Sequence, residues 1–98
     1  MSNAYILVFS SEIDRKSVSD FFDSMDGIDN WFYSLPNSIF LVGSVPALTI
    51  SKRFMERFGQ KRHFVTLISK KARQGWMPKK HWNLLPEEKS ADDGSTSS

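Results

Sequence analysis

Ten cations lie between Lys52 and Trp82 against the single acid Glu56, and this is the part of the sequence best equipped for chemistry. They are Lys52, Arg53, Arg57, Lys61, Arg62, Lys70, Lys71, Arg73, Lys79 and Lys80. Side chains of this type at this density neutralise phosphates and release their counterions, which is what non-specific nucleic-acid affinity requires. The same charges would also dock an acidic protein partner, or serve only to keep the protein dissolved. The rest of the chain is acidic. Residues 1–51 carry two basic residues against six acids, net −4, while residues 83–98 carry one lysine against four acids, net −3. That asymmetry, more than the overall charge of +2, is the functional clue.

Other reactive types are present in patterns that support less. Asp20, Asp23, Asp26 and Asp29 recur every three residues, but a calcium loop needs ligands at alternate positions and a closing glutamate, so a solvated helix face explains them. His63 and His81 are the only histidines, eighteen residues apart, and with no cysteine in the chain a zinc site would have to recruit carboxylates. His63 is expected to begin an edge strand, and His81 to sit on the exposed side of a short helix. A general-base role for either needs a nucleophile within reach. No serine lies in a Gly-x-Ser-x-Gly elbow and no glycine-rich phosphate loop occurs, so the reading assigns no catalytic residue, no metal ligand and no cofactor.

The aromatics form a second candidate group. Trp31 and Tyr33, with Phe32 and Phe40, bring rings onto a sheet, yet the stretch Ser38–Gly43 lacks the basic start and spaced aromatics of the RNA-recognition motif. Core packing or a dimer interface is the expected use of Trp31 and Tyr33. For Trp76 and Trp82 the expectation is packing on the domain's apolar surface, against the sheet or at a dimer boundary, because an indole left in water forgoes ~1.5–3 kcal/mol of burial.

The elements that must position these groups follow from periodicity. Tyr5–Phe9 is a continuous apolar run that suits a strand covered on both faces. Asp14 then caps a helix whose Val18, Phe21, Phe22 and Met25 share one face, with Ile13 and Val18 as a hydrophobic staple and Gly27 as its end. Trp31–Leu35 and Ile39–Val42 read as a hairpin around Pro36-Asn37-Ser38. Pro46 opens a second helix that runs to Phe58 and stops at Gly59. Its buried stripe is Ala47, Ile50, Phe54 and Phe58, it leaves Lys52, Arg53 and Arg57 outside, and it sets Glu56 where it can pair with Lys52. His63–Ile68 is the last strand, and Gly75–Leu85 forms a turn plus a short helix. The order β-α-β-β-α-β predicts an α+β, ferredoxin-like sandwich over residues 4–85, with an acidic disordered tail over 86–98. Two helices cover one face of such a sheet, so the other needs either the Gly75–Leu85 segment or a second copy of the chain.

The length of 98 residues allows one domain, and the longest apolar run, Ala4–Phe9, is six residues, far below the ~20 that span a bilayer. With cysteine absent, a reducing, cytoplasmic setting is expected.

With that element order, the Trp31–Val42 hairpin and Gly75-Trp76 followed by Trp82 after the last strand, the chain resembles small proteins related to the CRISPR-adaptation nucleases and to virulence-associated protein D. The resemblance covers residues 4 to about 85. It implies a symmetric dimer, and in several members a metal-dependent nuclease with an aspartate at the end of the first strand. This chain has Ser10-Ser11 there, with Glu12 and Asp14 the nearest acids. The resulting expectation is a non-enzymatic binding module, dimeric, that engages nucleic acid or an acidic protein surface through its basic edge, as bacterial or phage accessory and inhibitory factors do. A metal-dependent nuclease of the related type is the alternative.

Overall fold

The computed structural model describes residues 2–86, so the tail expected over 86–98 lies, from Glu87 onward, outside the described residues. The chain folds as a four-stranded antiparallel sheet with three helices. In order these are β1 (Asn3–Phe9), α1 (Arg15–Asp23), β2 (Ile28–Phe32), β3 (Ser38–Gly43), α2 (Ala47–Phe58), β4 (His63–Leu67) and α3 (Lys79–Leu84). The sheet order is β2-β3-β1-β4, with every neighbouring pair antiparallel. No helix of the described residues is long and apolar enough to cross a membrane.

β1 and β3 are the central strands, and their unbroken apolar runs serve both sides of the sheet. The odd residues Tyr5, Leu7, Phe9, Ile39 and Leu41 pack under α1 and α2 with Val18, Phe22, Ile50 and Phe54. Phe22 and Phe54 stack across the two helices, their ring centroids 6.3 Å apart. On the opposite face Ala4 and Phe40 join Phe32 in a second buried cluster, closed by Leu85 and flanked by Met77 and Trp82. Of the two expected covers for this face, the C-terminal segment is the one present in the single chain.

Local signals set the helix ends. Asp14 Oδ2 accepts from the Ser17 backbone N–H and from its hydroxyl, both at 3.0 Å, so a side chain satisfies an otherwise unpartnered donor in the first turn of α1. Pro46 precedes α2 without a side-chain cap, and Gly59 ends it at φ 86°.

Two expectations about the elements require correction, beside those for Trp76 and for His81, which turns inward onto Ser34 and Phe32. The second strand is Ile28–Phe32 rather than Trp31–Leu35, and Leu35 is exposed in the connection to β3. Strand formers pointed the wrong way here because Asp29 and Asn30 are exposed on an edge strand, where polar residues cost little, and the ladder is bulged between Ile28 and Asn30. At that point Gly43 meets Gly27, and a Cβ on Gly43 would lie 2.2 Å from the Gly27 carbonyl oxygen, so only glycine allows the approach. The expected Lys52–Glu56 pair does not form. Lys16–Asp20 on α1, at 3.2 Å, is the i,i+4 pair that does.

Candidate nucleic-acid interface

The sheet has two edges, and the order β2-β3-β1-β4 gives each its own helix: α1 packs on β2, and α2 on β4. The charge asymmetry of the sequence thereby becomes spatial. Asp20, Asp23, Asp26 and Asp29 lie on α1, in the following turn and on β2, while Lys52, Arg53 and Arg57 are exposed on α2 beside β4.

Lys61 and Arg62 join the α2 cations through a clamp that sequence reading missed. Ser51 Oγ lies 2.7 Å from His63 Nε2, and His63 Nδ1 lies 2.9 Å from the Lys61 carbonyl oxygen. A carbonyl can only accept, so Nδ1 donates to it, and in the neutral ring Nε2 takes the Ser51 proton as a hydrogen bond. The His63 ring also packs on Phe54, with centroids 5.0 Å apart. Together these contacts hold the start of β4, and with it Lys61-Arg62, against the turn of α2 that carries Lys52 and Arg53. The hydroxyl–imidazole pair also has the spacing of a nucleophile and its base, with Ser51 lying within α2. What these contacts do in the fold is position the start of β4 on α2. Ser51 and His63 are twelve residues apart on different elements, and no sequence signal links them.

Lys52, Arg53, Lys61 and Arg62 have no ion-pair or hydrogen-bond partner for their side chains among the described residues, and Arg57 only stacks on the Phe58 ring, 4.6 Å from its centroid. The remaining predicted cations separate from this set. Lys70 and Lys71 follow β4 at its other end, and Arg73 turns onto the second face, its Cζ 6.0 Å from the Trp82 ring centroid. Lys79 and Lys80 start α3, which reaches the β2 side of the sheet through His81 Nδ1, 3.1 Å from Ser34 Oγ, and through the His81 ring on Phe32. Of the ten cations, five therefore lie along α2 and the entry to β4, and the others are distributed around the sheet.

The aromatics divide as well. Trp31 and Tyr33 are at the acidic edge: Trp31 Nε1 donates to Asp23 Oδ1 at 3.1 Å, the two rings meet edge to face, and Arg15 lies 4.0 Å over Tyr33. Tyr33 donates to the Arg15 carbonyl at 2.6 Å, and burial raises its pKa above the ordinary value, partly offset by Ser19 and Arg15. Trp82 packs against the second cluster as expected, whereas Trp76, expected to pack as well, is 88% exposed and belongs to neither buried cluster of the described residues. On β4, Phe64 and Leu67 are exposed, and Val8, the cross-strand neighbour of Phe64, is partly so.

Glu12 is exposed at the end of the β1–α1 connection, and Asp14 uses its carboxylate as the helix cap. Among the described residues no group of three or more His, Asp or Glu side chains is arranged to hold a metal ion. Compared with protein-family models and with curated proteins, the chain matches none.

Proposed function

We propose that the chain is a small non-enzymatic binding module, dimeric and ferredoxin-like in arrangement, that engages nucleic acid through the cationic flank formed by α2 and the entry to β4. The ferredoxin-like reading is supported by the strand order, in which each β-α-β crossover steps over one intervening strand. It keeps the resemblance to the CRISPR-adaptation and virulence-associated protein D group as a proposal about the scaffold. The nuclease alternative draws less support, since one of its two candidate acids, Asp14, is engaged as a cap.

One observation carries the binding reading. Five exposed cations without an acidic partner among the described residues, Lys52, Arg53, Arg57, Lys61 and Arg62, lie on α2 and in the entry to β4, and the part-buried Ser51–His63 contact joins those two segments. A second reading, an acidic protein partner, is favoured by β4 itself. It is an edge strand without acid, lysine or arginine whose outer backbone groups are unpaired among the described residues, which suits addition of an extended acidic segment beside the α2 cations.

Retention of the pure protein on labelled DNA, RNA and heparin over a salt series, with and without magnesium, tests the reading. The Arg53→Gln/Arg57→Gln variant should fold normally and flatten the salt dependence by ~0.9 log unit per lost duplex-phosphate contact. Unchanged retention in that variant would refute it, and magnesium-stimulated cleavage abolished by Glu12→Gln would restore the nuclease.

A further inference from the structure

On the second face of the sheet, away from α1 and α2, the C-terminal segment does not close down completely. It leaves a cavity of about 320 Å³ between itself and the strands. Ile6, Phe40 and Ile68 form its floor, and Met77, Trp82 and Leu85 its wall. That volume and that lining are of the kind that takes small organic ligands, which bind in largely apolar clefts with a few polar groups to orient them.

Two further observations say what the ligand should look like. Leu35 and Trp76 both border this cavity, and at 53% and 88% exposure they are among the most exposed large apolar side chains of the described residues. Their position at its mouth leaves apolar surface for a ligand to cover. The second is Arg73, which also lines the cavity: its Nη1 is enclosed and has no hydrogen-bond partner among the described residues. Enclosing a cationic donor without an acceptor is costly, and an anionic acceptor supplied from the cavity would remove that cost with a small turn of the guanidinium. Apolar walls, an apolar rim and one unsatisfied guanidinium describe an amphipathic organic anion.

We infer that this cavity is a binding site for a small amphipathic anion, with its aromatic or aliphatic body between Phe40, Ile68 and Trp82 and its acid group on Arg73. The site is separate from the cationic flank, which lies on the helix side of the sheet. Nucleic-acid retention and ligand binding can therefore fail independently.

Anilinonaphthalene sulfonate, an aromatic anion, is the first probe for the full chain, and N-phenylnaphthylamine, the same ring system without the sulfonate, is the second. Titration should saturate at one sulfonate probe per chain. Amide and side-chain chemical-shift changes should centre on Ile6, Phe40, Ile68, Arg73 and Trp82. Arg73→Gln should weaken the sulfonate probe by about tenfold or more and leave the neutral probe unchanged, because only the charge-assisted hydrogen bonds are lost. Equal weakening of both probes would overturn the placement of the acid group on Arg73. Shift changes centred on α2, absence of saturable binding, or an unchanged sulfonate affinity in Arg73→Gln would each overturn the assignment.

Discussion

The two edges of this sheet are handled in opposite ways. The β2 edge is blunted: its ladder is bulged between Ile28 and Asn30, Asp29 sits within the strand, and Trp31 and Tyr33 are tied back to α1 through Asp23 and Arg15. Bulges and inward or in-strand charges are what stop an exposed edge from recruiting other strands. The β4 edge has no bulge and no in-strand acid, and its tie to a helix is confined to its first residue, His63. His63–Leu67 contains no acid, lysine or arginine, its pairing with β1 runs without a register shift, and Phe64, Thr66 and Leu67 are exposed. The cations lie beside this strand, on α2 and in the turn, rather than in it. One edge is thus open and flanked by cations, and the other is bulged and tied down to its helix.

Changes that undermine each edge should differ in size. The largest effect is expected for Phe54→Ala, since this fully buried ring touches Phe22, Phe58 and His63 and so supports α2 and the β4 clamp together. Urea unfolding should show a loss of ~3–5 kcal/mol, and a loss below ~1 kcal/mol would mean that the basic flank does not rest on this ring. Leu85→Ala comes next, at ~2–4 kcal/mol, because it opens the cover over Ala4, Phe32 and Phe40 on the second face. Phe64→Ser on the open edge should by contrast stay within ~0.5 kcal/mol of the parent, and a large loss there would show that Phe64 is already covered in solution.

Smaller effects sharpen the acidic side. Asp23→Ala removes the acceptor for the Trp31 indole and should cost ~0.5–1.5 kcal/mol, whereas Glu12→Ala, with an exposed side chain, should be neutral by the same measurement. The smallest effect is a pH dependence. Burial holds the Tyr33 pKa above its ordinary 10.0, so its contribution to stability is complete below that value and disappears as pH rises through the higher folded-state value. Alkaline thermal melts should fall over that range, and Tyr33→Phe should fall less, having no proton to lose.

Element types and the charge map were legible in the sequence because both depend on near neighbours. Periodicity alone determined that Val18 and Phe22 face inward, that Lys52, Arg53 and Arg57 face outward, and that an aspartate caps α1 while a glycine ends α2. What sequence alone left undecided is long-range. The register that begins β2 at Ile28 depends on a bulge and on the Gly27–Gly43 approach, and neither has a local signature. Tertiary structure alone decided that five of the ten cations lie along α2 and the entry to β4 while the others are distributed around the sheet, because strand order and the Ser51–His63 contact determine which elements are neighbours. It also decided that Trp82 packs while Trp76 is left at the mouth of a cavity: burial depends on the surface opposite a side chain, and for the C-terminal segment that surface is the second face of a sheet assembled from residues far away in the chain.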